Sequence, residues 1–240
     1  MLFQDVLTQR IIIILIVQIW PVFYCSYFSY KLLKRAKNRS TYTLSSFFIT
    51  FAIAYFFASF SIFVLNTPLA YLFYIIGINF FFFSHCFYII ISWVFVKLDD
   101  KSPRWKFYTI VVFYFLLSTY VFWVGYYFKG ITYDSSTLWI PTYSWFFLSI
   151  SWIFLITFVV FPQIYYSFKL YKVFEGEVLR HRINLFLLSV LLELTVVFLL
   201  FLYNTLVENQ IYRTIFIIIA PVFSTVSALL IYRSFGRELE

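Results

Sequence analysis

Residues 180–206 read RHRINLFLLSVLLELTVVFLLFLYNTL. A basic triplet, Arg180-His181-Arg182, stands before a long apolar run in which Glu193 is the only formally charged residue. A run of about 20 apolar residues is long enough to cross the hydrocarbon core of a bilayer. Because a backbone in lipid must satisfy its own hydrogen bonds, this run predicts a transmembrane helix.

Comparable apolar runs recur along the chain. The composition is 63% hydrophobic and 12% charged, whereas soluble domains have about 45–50% and about 25%. We therefore predict an all-α integral membrane protein that is a single seven-helix transmembrane domain over residues 1–240, with no room for a second domain. Its predicted spans are 11–30, 44–65, 69–96, 107–128, 143–168, 183–206 and 214–232.

Basic residues are concentrated in alternate gaps between these spans. Fifteen of the 18 Lys and Arg residues lie in every second gap or after the last span, whereas the other side has only Arg10, Lys129 and Arg213. Since flanking basic residues are retained in the cytoplasm, the N-terminus is predicted outside and the C-terminus inside, most simply in the plasma membrane. The net charge of +8 then faces anionic lipid headgroups, and no nucleic-acid partner is expected.

Several local features predict how the helices connect and pack. The turn at 66–68 is so short that spans 2 and 3 must be antiparallel neighbours, and residues 129–142 form the longest outer connection, a candidate lid or external contact. Small residues one turn apart let helices approach closely, within the bundle or between copies in an oligomer. They are Ala54 and Ala58 in span 2, and Ala220, Ser224 and Ala228 in span 7.

Three prolines fall inside predicted spans. Each removes a backbone donor and predicts a helix kink near it. They are Pro21, Pro162 and Pro221.

Glu193 is the first candidate for function, because an intramembrane carboxyl faces the bundle interior and is either protonated or paired. His85 lies at a similar depth in span 3 by residue count, so the two side chains are expected to meet across the core. Such a pair can join two helices, bind a polar ligand or relay a proton. Gln18 and Asn79 are further candidates for this polar core, although single amides in membrane helices often bond a neighbouring helix.

Recognised catalytic patterns are not found in the sequence. It has only two histidines, no metal-ligand spacing, no Gly-rich phosphate loop and no Ser nucleophile motif. We therefore expect no enzyme, no cofactor and no metal. Cys25 and Cys86 both fall inside spans, which predicts two free thiols.

The basic triplet that precedes span 6 is expected to anchor at the headgroups or to dock an acidic cytoplasmic partner, together with the cluster between spans 1 and 2. The residues predicted to face such a partner are Lys34, Arg35, Arg180, His181 and Arg182.

Three segments of the sequence resemble parts of one known protein family. The basic stretch 31–39 entering 44–60 resembles the first loop and second helix of the seven-helix N-terminal sensor region of prokaryotic histidine kinases. Residues 179–182 running into a helix that ends Leu202-Tyr203-Asn204 resemble its sixth helix, and Pro221 followed by 227–233 is similar to its seventh. This resemblance implies a receptor-like sensor of a small ligand or membrane state. Because few residues follow span 7, a separate cytoplasmic signalling protein is expected as its partner.

Two other functions stay open. Phe161-Pro162-Gln163 in span 5 resembles the signature of PQ-loop transporters, and Trp20-Pro21 in span 1 retains its proline without the glutamine. That resemblance implies a carrier of small solutes. The third possibility is a structural or assembly subunit that binds no ligand.

Overall fold

The structure is a computed structural model that describes residues 19–35, 38–97, 104–137, 139–174 and 176–236. It contains seven helices, of which α2 to α7 are long and apolar enough to cross a membrane. Helix α1 covers the second half of the first predicted span, whose earlier residues lie outside the described part. The helices are α1 Ile19–Arg35, α2 Arg39–Phe60, α3 Pro68–Val96, α4 Arg104–Tyr127, α5 Trp145–Val173, α6 Glu177–Thr205 and α7 Gln210–Ile231. The protein is therefore an all-α, multi-pass membrane protein.

Several helix ends differ from their predicted positions. Helix α5 continues to Val173, beyond the predicted end at 168, and α6 begins at Glu177 instead of 183. Backbone hydrogen bonds continue both helices beyond their apolar runs, so hydropathy alone predicts these helices too short. Glu177 in the first turn of α6 also interacts favourably with the helix dipole. The basic triplet at 180–182 consequently lies within the first turns of α6.

Helix α3 is the centre of the bundle. In its most apolar stretch 78% of the residues are buried, against 22% in α4. It packs antiparallel to α2 after a turn in which Asn66 adopts a φ of 65°, a left-handed conformation that asparagine tolerates. The predicted pairing of spans 2 and 3 is confirmed.

Close contact between α2 and α3 depends on Gly77. A Cβ atom at this position would lie 2.6 Å from the backbone nitrogen of Ala58 and 2.9 Å from the carbonyl oxygen of Ala54. The small-residue pair of span 2 is thus used within the bundle, where it lets two backbones touch.

Replacing Gly77 with alanine is expected to force α2 and α3 apart and to lower the free energy of unfolding by about 1–3 kcal/mol. The measurement is chemical unfolding in detergent micelles, with Leu72→Ala on the exposed face of α3 as control. Equal stability of the Gly77 variant and the wild type would show that the two helices do not approach as closely as described.

The two ends of the bundle differ in chemistry. One end holds the α2–α3 turn, the α4–α5 connection and the α6–α7 turn, and we call it the hairpin end after the β-hairpin in the α4–α5 connection. The opposite, basic end holds the C-terminal ends of α1, α3 and α5 and the N-terminal ends of α2, α4 and α6. The α4–α5 connection forms a short antiparallel hairpin of β1 (Ile131–Thr132) and β2 (Thr142–Tyr143).

The hairpin is folded back onto the helices. Tyr133 is buried against the ring of Tyr74 at 4.7 Å, and its hydroxyl lies 3.0 Å from that of Ser61. Asp134 accepts hydrogen bonds from the hydroxyl and backbone N–H of Ser136 at 2.6 and 2.8 Å. Its pKa is lowered chiefly by the Ser136 hydroxyl, because these donors favour the ionised carboxylate. The connection is therefore an ordered cover over this end.

Helix α5 departs from regular α-helical geometry close to Pro162. Residues Ile156–Val160 form a π-helical turn directly before it, which is one way in which a helix accommodates a lost donor. Since Pro162 has no N–H for the carbonyl of Phe158, that carbonyl instead accepts from the hydroxyl of Tyr114 on α4 at 3.1 Å. Helix α7 continues through Pro221, and Pro21 lies in the first described turn of α1.

Removing the Tyr114 hydroxyl by Tyr114→Phe is expected to lower the free energy of unfolding by about 1 kcal/mol, because a carbonyl in lipid loses its partner. In a Pro162→Ala background the restored N–H can bond Phe158, so the same change should cost less. A double-mutant cycle of unfolding free energies measures the difference. Additive effects would mean that Tyr114 does not replace the bond lost to proline.

Candidate functional site

Glu193 lies in the middle of the bundle, 2% exposed. The hydroxyl of Ser224 on α7 lies 3.0 Å from its Oε1 and 3.1 Å from its Oε2, and donates to the carboxyl group. This hydrogen bond joins α6 to α7 in the buried middle of the bundle.

His85 on α3 lies opposite this carboxyl and is completely buried. Its Nδ1 is 2.7 Å from the carbonyl oxygen of Phe81, and since a carbonyl only accepts, Nδ1 carries the hydrogen. The other nitrogen, Nε2, lies 4.0 Å from Oε1 of Glu193 and has no hydrogen-bond partner in the described part of the chain. The expected meeting of the two side chains is observed.

The geometry favours an uncharged pair. A direct charge-assisted N–H···O bond is about 2.7–2.9 Å long, shorter than the separation between His85 and Glu193. Burying two charges without that contact is costly. The surroundings therefore fit a protonated Glu193 beside a neutral His85, whose Nε2 carries no hydrogen and faces the carboxyl group.

Further polar side chains surround this pair, and the sequence did not single them out. Tyr24, Cys25, Tyr55 and Tyr88 lie close enough to Glu193 to interact with it electrostatically. The hydroxyls of Tyr24 and Tyr88 are buried, and neither has a hydrogen-bond partner among the described residues. With 21 tyrosines in the chain, no sequence signal separates these three from the rest.

Ser227, one turn after Ser224, is another polar-core residue that the sequence pattern did not identify. Its hydroxyl donates to the carbonyl oxygen of Ser189 on α6 at 2.9 Å. The spacing of Ser224 and Ser227 puts both on one face of α7, and this is the signal that identifies the face toward α6.

Asn79, also predicted for the polar core, lies elsewhere. Asn79 donates to the hydroxyl of Thr119 on α4 at 3.1 Å, so it joins α3 to α4 as single amides in membranes commonly do. Gln18 lies outside the described residues. The structure thus assembles Glu193 and His85 but does not bring Asn79 to them.

A cavity of ≈ 400 Å³ extends from the hairpin end toward Glu193. It lies between α1, α2, α3, α6 and α7 and beneath the hairpin, which contributes Tyr133. Neither Glu193 nor His85 lines it. Ser224 and Phe81 do, and these are the residues that bond the carboxyl and the imidazole. An occupant at this end of the cavity therefore lies next to the direct partners of the buried pair.

A second, shallower groove of ≈ 630 Å³ lies between the hairpin and the α2–α3 turn. Most of its residues are exposed, including Asn66, Lys129 and Asp134. We regard it as surface, because it lacks the enclosing apolar walls of a small-molecule site.

Several predicted partner-facing residues are exposed at the basic end. Lys34, Arg180 and His181 are exposed and Arg182 is half-buried, while only the backbone of Arg35 is described. These residues present basic charge next to the helix ends that would contact a protein on this side.

Cys25 and Cys86 are both buried and unbonded. Within the described residues, no group of three His, Cys, Asp or Glu side chains is arranged to hold a metal ion.

Comparison with family models, with curated proteins and with solved structures gives no match to this chain. Its function is therefore inferred from its own residues and geometry.

Glu193→Gln is expected to change the free energy of unfolding by less than about 1 kcal/mol, because the amide replaces a neutral carboxyl and still accepts from Ser224. Infrared spectra should show the loss of a protonated-carboxyl band. Ser224→Ala, the control, should destabilise by about 1 kcal/mol through loss of the donor. A cost of about 3–5 kcal/mol for Glu193→Gln would instead indicate an ion pair with His85.

Proposed function

We propose that this chain is a receptor-like sensor in the plasma membrane. It crosses the membrane seven times, with its N-terminus outside and its C-terminus in the cytoplasm, so the hairpin end is external. The distribution of basic residues supports this orientation. The observation that carries the proposal is the cavity of ≈ 400 Å³, within the range of about 300–1,000 Å³ typical of small-molecule sites.

Helix α7 supplies the link between the cavity and the basic end. Pro221 and Ser224 both line the cavity, and Ser224 bonds Glu193 on α6. Further along α7, Ser227 bonds α6 again. Beyond the helix, the ring of Tyr232 stacks on Phe28 of α1 at 4.8 Å. A ligand that displaces α7 therefore changes its contacts with both neighbours.

The response requires two arrangements of these contacts. A ligand shifts such an equilibrium only as far as its affinities for the two states differ. Ser224 is suited to this role because its hydroxyl either donates to Glu193 or turns toward a ligand in the cavity. In the second case Glu193 loses its donor, and the α6–α7 contact loosens.

The output is a change at the basic end that a separate cytoplasmic protein reads. Lys34, Arg180 and His181 are exposed there, and their charge fits an acidic partner surface. The same residues interact with anionic headgroups in the resting membrane. The resemblance to the seven-helix sensor region of histidine kinases supports this division between sensor and output.

The two alternative functions, a transporter and a structural subunit, explain fewer features of the candidate site. Neither Pro162 nor Gln163 is among the residues that line the cavity, and the amide oxygen of Gln163 accepts from Ser92 at 3.1 Å. Gln163 therefore joins α3 to α5, whereas Trp20 and Pro21, the related pair in α1, line the cavity. A purely structural subunit leaves the cavity and its connection to Glu193 without a role.

Filling the cavity should alter the basic end. Ala220 lines the cavity, so Ala220→Trp is expected to act as a permanent occupant. Spin labels on cysteines introduced at Lys34 and Arg180 report the distance between α1 and α6 by electron paramagnetic resonance. We expect the distance distribution to shift in the variant. The native cysteines are 1% and 0% exposed and should remain unlabelled.

Val222→Trp is the matched control, because Val222 is 56% exposed on the same helix and should leave the distances unchanged. An identical distribution in both variants and the wild type would refute coupling between the cavity and the basic end.

A further inference from the structure

Among the described residues, Arg213 is the only formally charged one that lines the cavity. It lies in the first turn of α7, at the hairpin end. The remaining lining residues are apolar, aromatic or uncharged polar, and the residues described here include no acid paired with Arg213.

Its guanidinium group is held in a defined position. Nη2 donates to the hydroxyl of Tyr203 on α6 at 2.9 Å, and the guanidinium carbon lies 4.2 Å from the centre of the same ring. One tyrosine thus supplies both a hydrogen bond and a cation–π contact. The side chain is orientated before any ligand arrives.

The other terminal nitrogen of this group has no acceptor. Nη1 is buried and lacks a hydrogen-bond partner among the described residues. A charged donor that is removed from water and left unpaired is unfavourable. A ligand that brings an anionic oxygen removes this cost, and a planar guanidinium matches the geometry of carboxylate and phosphate.

The rest of the cavity defines the body of the ligand. Ser224, at the far end, is eleven residues from Arg213 on α7, which corresponds to about 16 Å along the helix axis. The walls between them are largely apolar and include Ala54, Ile78 and Leu200. The space therefore suits an extended apolar chain.

We propose that the cavity binds an elongated amphiphilic anion, with its carboxylate or phosphate head at Arg213 and its apolar chain directed toward Ser224. The use of this ligand as a signal rests on the proposed sensor function, whereas its binding does not. A free amphiphile and an anionic membrane lipid share this chemistry.

The test compares three probes with the same chain and different heads: decanoate, decanol and decylammonium. Each is titrated calorimetrically into the full-length protein in phosphatidylcholine nanodiscs, with the heat from empty nanodiscs subtracted. Decanoate is expected to bind at least about tenfold more tightly than decanol, as a charge-assisted hydrogen bond provides. Decylammonium should bind least.

Two variants separate recognition by Arg213 from a general effect of positive charge. Arg213→Gln should remove the preference for decanoate over decanol. Lys129→Gln removes an exposed cation at the same end that does not line the cavity, so the preference should persist. Thermal unfolding of each variant verifies that the bundle is intact. If Arg213→Gln does not fold, the head-group series on the wild-type protein decides the result by itself.

Each outcome has a distinct meaning. Equal binding of decanoate and decanol, or no saturable binding of any probe, overturns the ligand class but leaves the Ala220→Trp experiment to decide the sensor function. Binding that depends on Arg213 without coupling in that experiment supports the site and refutes the sensor. Competition by phosphatidylglycerol in the nanodisc identifies a membrane lipid as the source, and its absence identifies a free amphiphile.

Discussion

In a medium without water, every polar group inside the helices needs a partner from the bundle, and this requirement shapes most of the structure. The carbonyl exposed by Pro162 is bonded by Tyr114 from another helix. Asn79 bonds Thr119, and Glu193 is bonded by Ser224. Since the lipid tails are as apolar as the side chains, such bonds and close backbone packing determine which helices are neighbours.

Incomplete pairing is what distinguishes the candidate site from these structural contacts. Around Glu193, the hydroxyls of Tyr24 and Tyr88 and Nε2 of His85 all lack partners within the described residues. Single unpaired atoms also occur elsewhere, as on Gln163, but here three belong to residues that interact with one carboxyl. A partly satisfied buried network is unfavourable for stability, and its persistence at one place is consistent with a site that changes its bonds during function.

The sequence was a sufficient guide to depth but not to lateral arrangement. Counting residues from the helix ends placed Glu193 and His85 at similar depths, because the rise per residue of a helix is constant. Their observed separation of 4.0 Å agrees with that count. The same count gave no reason to group Asn79 with Thr119, or Tyr55 with Glu193, since these pairings depend on how each helix is rotated about its axis.

By itself, the sequence determined that the chain forms apolar helices, that basic residues gather at alternate connections, and that one carboxyl must be accommodated in the core. These follow from composition and spacing, which act locally. Only the tertiary structure decided that Ser224 reaches this carboxyl, that Arg213 lines a cavity, and that Gly77 brings α2 against α3. The physical reason is that helix rotation and approach are determined by side chains distant in sequence, packed at near-crystalline density.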